Sequence, residues 1–517
     1  MEMHKTPDGS DASLPDVYEL EASVATSNLH GSGSQEPLHS DYEQYGAQSP
    51  VHGPVEVDWE GPDDPENPRR WSKSRRLICT TLVSCLSLSA NLAATMYAPG
   101  SVSLAIDFKT RNVTLVAMTV SIYLLGFALG PMIWAPLSEI YGRLPVYHVS
   151  NVIYFSFLWG CAFAHNLDQF LLFRFLSGCG ASASMTVGGG TIADLLEHPG
   201  QDSLALKIFG LGPLLGPVIG PVAGGFVVQT VGWRWTFYVL IIVQGTLTLL
   251  CFAFLRETAA PLLLARKAKK LEQETGQAHK AKGANTNVPL TQVLSRGLLR
   301  PFKMLLFLPT VSLLSFYNAF VFGLIYLLFT TFPEVYINTY KFTAGVSGLA
   351  FLGLGSGMIG GLFLFNVIIQ RSTEKKGLTN CAPQPELYLP VMMTFSPCLP
   401  IGFFWYGWTA HYEVHWILPI LGTVFVGFGA FAVIMATIAY LMTTYGPMAA
   451  ASALAVNGIL RYTFAAFLPL AGPSLYAKLG LGWGNSVLGF ICILFIPIPF
   501  WFYKYGKWLR ERFPMDF

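Results

Sequence analysis

Two guanidinium side chains stand in stretches that are otherwise apolar. They are Arg174, in Leu171-Leu172-Phe173-Arg174-Phe175-Leu176, and Arg461, in Ala455-Val456-Asn457-Gly458-Ile459-Leu460-Arg461. A charge within a membrane-spanning segment costs about 2.5–3.5 kcal/mol on insertion scales, so it faces a partner or a water-filled cavity, or snorkels to the interface. Arg174 lies close enough to one end of its segment to snorkel. Arg461 lies near the middle, and Asn457, four residues earlier, shares its helix face. That pair points to cavity lining or to hydrogen bonds between helices. A third constellation is Ala135-Pro136-Leu137-Ser138-Glu139-Ile140-Tyr141-Gly142-Arg143. Gly142 permits a tight turn, and Glu139 with Arg143 is either an ion pair that locks neighbouring helix ends in one state or an ordinary charged loop. The fourth is a helix in which Gly212, Gly216, Gly220 and Gly224 recur every four residues, interleaved with Pro213, Pro217 and Pro221 and followed by Gly225. The glycines make a smooth face on which another backbone packs closely, and the prolines bend the helix. No nucleophile–base set, metal-ligand spacing or nucleotide loop occurs, which argues against an enzyme and against ATP as the energy source. The chain carries 8 cysteines, none in a C-x-x-C pair, and they read as small packing residues rather than metal ligands or disulfides. No cofactor and no metal is expected.

The elements that must hold these residues follow from composition. The 517 residues are 52% hydrophobic and 12% charged, with a mean hydropathy of +0.47. A soluble chain carries about 25% charged residues, so much of this surface faces lipid. The net charge of +2 comes with no basic run able to track a phosphate backbone, so nucleic acid is not a partner. A bilayer core needs about 20 apolar residues per helix. Spans are expected near 77–97, 114–136, 146–164, 170–192, 204–228 and 235–255, then near 304–330, 344–366, 387–408, 415–440, 449–472 and 484–503. The expected fold class is therefore an all-α membrane protein with 12 transmembrane helices in two six-helix halves. Residues 1–70 are polar, lack a signal-peptide core, and read as a disordered cytoplasmic tail. The N-terminal half is 71–255, a cytoplasmic central loop 256–302 follows, the C-terminal half is 303–505, and 506–517 is a cytoplasmic tail. Lys269-Lys270-Leu271-Glu272 suggests a short amphipathic helix in the central loop. With both termini cytoplasmic, 25 of the 32 Lys and Arg fall inside and 5 outside, which fixes the orientation. The only N-x-S/T sequon, at Asn112, falls in the first outside loop, where N-glycosylation is possible. Aromatics such as Tyr97, Tyr123, Phe316, Tyr317, Phe320, Phe404, Trp405 and Tyr406 are expected mostly at the lipid face or interfacial belt.

Against this background the loop 135–143 resembles motif A of the major facilitator superfamily, with Glu139 at its Asp position and Gly142 and Arg143 matching. Gly130-Pro131 and Pro136-Leu137-Ser138-Glu139 resemble the fungal drug:proton antiporter-1 branch, a 12-spanner family. Arg174 and its neighbours resemble motif B, and Gly220-Pro221-x-x-Gly224-Gly225 resembles motif C, the antiporter signature. The likeness covers roughly 65–510. It implies a gate latch at Glu139, Gly142 and Arg143, proton coupling involving Arg174, and drug or secondary-metabolite efflux by alternating access at the plasma membrane, or at a vacuolar or other internal membrane. Implied partners are a small-molecule substrate, protons and the bilayer, with the protein a monomer. Asp202-Ser203 stands where the family has Arg-Gly, and Tyr440-Leu441-Met442-Thr443-Thr444-Tyr445 lacks the acidic residue relatives carry, which leaves gating in the second half less secure. No Asp or Glu lies near the middle of any span; Asp194, at an inner rim, is the nearest candidate proton carrier. A nutrient importer of the same superfamily, or a non-transporting receptor, are the competing expectations. The motif C-like helix speaks against the first and the short tails against the second.

Overall fold

The computed structural model describes residues 55–61, 64–196, 203–282, 290–375 and 384–513. Asp202 and tail residues 1–54 lie outside them. The described chain is almost wholly helical. The first group of helices is α1 (Lys73–Thr95), α2 (Ser101–Asp107), α3 (Val113–Ile140), α4 (Arg143–Phe163), α5 (Leu167–Ala181), α6 (Ala183–Leu195), α7 (Ser203–Val231) and α8 (Arg234–Phe254). A connecting region holds α9 (Ala260–Thr275) and α10 (Leu290–Phe307). The second group is α11 (Pro309–Asn338), α12 (Ala344–Leu349), α13 (Phe351–Lys375), α14 (Leu389–Phe395), α15 (Cys398–His411), α16 (Ile417–Phe495) and α17 (Pro497–Arg512). Side chains cap the starts: Ser72 accepts from the Arg75 N–H at α1, Asn112 from Thr114 and Leu115 at α3, and Asn166 from Gln169 at α5.

Ten described helical stretches are long and apolar enough to cross a membrane. One of them, Ala450–Arg512, has 63 residues, far more than the roughly 20 one crossing takes. The 79-residue α16 takes in the spans expected at 415–440 and 449–472 and much of 484–503. A straight helix of that length would reach about 120 Å. It turns back instead: the Tyr476 hydroxyl donates to Asn485 Oδ1 at 2.9 Å, nine residues on, and Gly480 between them has φ +71°. α4, with 21 residues, is not among the ten.

The two helix groups share a packing scheme. In the first, α3 and α5 meet backbone to backbone at Gly126 and Gly178. In the second, α13 and α16 meet in the same way at Gly357 and Gly427. The groups contact one another along two seams, α3 with α16 and α7 with α12 and α13. The core is aromatic. Tyr97, Tyr123, Tyr317, Phe320 and Tyr406 are buried, whereas only Phe316 and Trp405 of the eight aromatics expected at the lipid face or belt are exposed.

Two segments expected to be tails are built into the fold. Val55–Val57 forms strand β1, paired in parallel with β2 (His279–Ala281) of the connecting region. Val57, Ala281, Leu264 and Ala268 form a small apolar cluster beneath them. The amphipathic α9 supplies that platform, which is why the last residues of the stretch 1–70 are ordered. Lys267 reinforces it with ion pairs of 2.9 Å to both Glu60 and Asp64. At the other terminus, 506–512 continues α17, and Arg510 binds Glu386 and the Tyr440 hydroxyl.

Candidate functional site

The end of the bundle that carries Trp71 and the Gly142 turn is called proximal here; the end carrying the 108–112 turn is distal. At the proximal end Gly142, with φ +93°, reverses the chain between α3 and α4. Arg143 therefore begins α4, and its side chain reaches not Glu139 but Asp194 at the end of α6, with Nε 3.2 Å from Oδ2. Arg143 Nη1 donates to Ser138 Oγ at 2.7 Å, and Thr258 Oγ1 donates to Asp194 at 3.4 Å. The expected Glu139–Arg143 pair is not formed: Glu139 stays on the exposed face of α3 and pairs with no described residue. Glu257 takes the carboxylate's place at the turn. Its two oxygens accept the backbone N–H groups of Arg143 and Leu144 at 2.9 and 3.1 Å, capping the positive end of α4. A Cβ at position 142 would collide with that carboxylate.

A second ion-paired set joins the other helix group at the corresponding positions in its own order. Glu386 precedes α14, Tyr440 lies in α16, and Arg510 in α17 joins them. Arg143, Asp194 and Glu257 sit at the matching places of the first group, with the signs of the first and last members exchanged. Thr443, where relatives carry an acidic residue, bonds back to the main-chain carbonyls of Ala439 and Tyr440. The second group thus holds an ion pair, Arg510–Glu386, at residues the sequence pattern does not single out.

Between the two ends lies Arg174. It is 0% exposed, so it does not snorkel. Nε donates to the Thr119 carbonyl at 3.2 Å and Nη1 to the Ala93 carbonyl at 3.0 Å, tying α5 to α3 and α1. Its guanidinium lies 4.7 Å from the Tyr123 ring centroid and 5.7 Å from those of Tyr97 and Phe237. No carboxylate meets it among the described residues, and Nη2 has no partner. Carbonyls and ring faces supply the negative potential an acid would otherwise give.

Arg461 lies in α16 next to Tyr462, whose ring meets Phe127 of α3 across the seam. Its guanidinium lies 4.8 Å from the ring centroids of both Phe322 and Tyr462. One N–H reaches the Tyr462 hydroxyl at 3.1 Å, and Nε has no acceptor. One turn away, buried Asn457 accepts a 2.7 Å hydrogen bond from Asn318 of α11.

α7 presents two working faces. A Cβ at Gly212, Gly216, Gly220 or Gly224 would strike α1, at Leu88, Asn91, Thr95 and Met96 in turn. The other face meets the second group, with Gly225 against the Ala344 carbonyl, Pro221 against Gly348 and Val218 against Gly355. The repeated glycines thus weld α7 into its own group, and Pro213, Pro217 and Pro221 all lie within this continuous helix. At the distal end a cleft of about 580 Å³ opens between the groups. Arg111 and Asn112 line one side, with Glu334, Asn338 and Ser474 opposite.

The sequence matches the Major Facilitator Superfamily over residues 81–467. The chain belongs to that superfamily. This facilitator is 55% identical over 482 residues to the MFS transporter fsdG of Fusarium heterosporum, covering 92% of this chain and 94% of the relative. It is 47% identical over 467 residues to the Trichosetin biosynthesis cluster MFS transporter of Gibberella fujikuroi, covering 90% and 91%. In solved structures it is similar to the xylose transporter XylE from E. coli in a partially occluded inward-open conformation. That match has a TM-score of 0.60 at 17% identity, covers 84% of this chain and 98% of the other, and establishes the shared fold. The facilitator is accordingly an all-α, multi-pass membrane protein. Of its functional candidates, Glu257 and the Glu386–Tyr440–Arg510 set escaped sequence reading. Each joins residues 70 to 124 positions apart, a separation that periodicity does not register.

Proposed function

We propose that this facilitator exports small, fairly apolar compounds of the secondary-metabolite type across the plasma membrane, as a monomer working by alternating access. The observation that carries export is its 47% identity, over nine-tenths of its length, to a transporter named for a biosynthesis cluster. The two-faced α7 supports alternating access, because a helix welded to one group and merely apposed to the other is what a rocking seam requires. Twelve crossings result if Ala450–Arg512 counts as two and α4 is added to the ten. The positive-inside bias then makes the proximal end cytoplasmic. On that assignment the Arg143–Asp194 and Arg510–Glu386 latches are cytoplasmic and the cleft at Glu334 opens outward. Protons enter through Asp194: a proton there removes the charge that holds Arg143 and loosens the cytoplasmic latch. Arg174 acts as the tie that keeps α1, α3 and α5 in register through the cycle.

Metabolite profiling inside and outside cells with and without the full chain tests export. A compound that accumulates outside only when the protein is present is the expected result. Equal extracellular profiles in both strains overturn it.

A further inference from the structure

The middle of this protein holds two cations and, among the described residues, no carboxylate to neutralise either. The rings Tyr123, Phe127, Tyr462, Phe322 and Tyr326 form an unbroken row across the seam, with successive centroids 5.3, 5.2, 5.6 and 5.1 Å apart. Arg174 stands over the Tyr123 end, and Arg461 is held between Tyr462 and Phe322. Tyr326 lies within electrostatic reach of both guanidiniums. The two arginines are not alike. Arg174 is wholly enclosed, two of its nitrogens donate to main-chain carbonyls, and its unpartnered Nη2 is enclosed with it. Arg461 is half-buried, makes one hydrogen bond to its neighbour's hydroxyl, and keeps an N–H without an acceptor.

A donor left unmatched away from water is costly, and a charged one more so. We propose that the missing acceptor is the substrate: Arg461 binds an organic carboxylate whose apolar body lies along the ring row. Arg174 contributes positive potential to the same site without touching the ligand. An uncharged compound offers Arg461 only a neutral acceptor, which binds a guanidinium more weakly than an anion does, and a cation is repelled by both arginines. The assignment names the substrate class for the export function proposed above and depends on it for placing the site on a transport path.

The test uses the full chain in lipid nanodiscs at pH 7.5, with empty nanodiscs as the reference. The probes are 1-pyrenebutyrate and 1-pyrenebutyramide, which share an apolar body and differ by one negative charge. Fluorescence polarisation is expected to show the acid bound roughly tenfold to a hundredfold more tightly than the amide, the range of one charge-assisted hydrogen bond. Arg461→Gln should bring the acid down to the amide's affinity, and Arg461→Lys should recover part of the difference. Equal affinities in the wild type, binding of neither probe, or an acid preference that survives Arg461→Gln overturns the proposal. The wild-type comparison stands even if a variant fails to fold. In the profiling experiment, an exported compound without an acidic group removes the anion site and leaves export intact. Acid-selective binding without any exported compound does the reverse.

Discussion

Gly224→Ala and Gly210→Ala make the same chemical change fourteen residues apart on one helix and should have opposite effects. Replacing glycine with alanine in a helix interior stabilises it by about 0.8–1.0 kcal/mol. At Gly210 an added Cβ meets nothing within 4 Å, so that gain stands. At Gly224 it collides with the Met96 carbonyl, which is main chain and cannot rotate away. α1 must shift instead, and such overpacking costs about 1–3 kcal/mol. The two variants should therefore differ in stability by about 1–3 kcal/mol, with Gly224→Ala the weaker. Full-length protein in mild detergent, heated in steps and scored for the fraction that stays monodisperse, gives the comparison. A Gly224→Ala protein as heat-resistant as Gly210→Ala would refute close packing of α7 on α1. By the same reasoning Gly220→Leu should lower the yield of folded protein, and not only its transport.

Three further outcomes follow. Asp194→Asn should weaken the proximal latch by about 1–3 kcal/mol, since it leaves a mostly buried Arg143 unpaired. Solvent labelling of a cysteine placed at Ser138 should rise, and unchanged labelling counts against the latch. The β1 strap should be insensitive to pH over the middle range. Burial pushes the Asp64 carboxyl up, but the Lys267 ammonium and the N–H groups of Glu60 and Glu66 outweigh it and hold the group below its ordinary 3.8. Burial pushes Lys267 down, but Asp64 and Glu60 hold it above its ordinary 10.5. The carboxylate's contribution is thus present above pH 3.8 and lost as pH falls through the lower folded value; the ammonium's is present below pH 10.5 and lost as pH rises through the higher one. Proteolysis at 58–61 should stay constant from pH 5 to 9, and a rise within that range contradicts the assignment. Asn112 should carry no glycan, because its side chain caps α3 at the lip of the distal cleft. A mobility shift on glycosidase treatment settles the point against it, while Asn112→Ala should cost about 1 kcal/mol in stability.

What could be read from the sequence was whatever depends on neighbours along the chain. The apolar runs marked the helices, Lys269-Lys270-Leu271-Glu272 marked α9, and the four-residue glycine period marked a face that does pack on another backbone. Arg461 and Asn457 share a face because they are four apart, and both meet α11. What could not be read depends on where a turn sends a side chain. Glu139 and Arg143 have the spacing of an ion pair on one helix, but the Gly142 reversal places them on different helices. Arg174 seemed free to reach the interface because its distance from the helix end was visible and the carbonyls of Ala93 and Thr119 were not. The tail's last residues appeared too polar to fold, since the apolar platform they use is more than 200 residues away, in α9.

The two faces of α7 should sort random mutations into two genetic classes. Bulk added where the helix meets α1 disturbs a contact inside one rigid group, so it acts in every state of the cycle and is read out as less protein. Bulk added at Gly225 or Val218 disturbs a contact between groups, so it penalises only the states in which that seam is closed. Alleles of the first class should be rescued by anything that aids folding. Alleles of the second should be rescued only by compensating changes around Ala344, Gly348 and Gly355, across the seam.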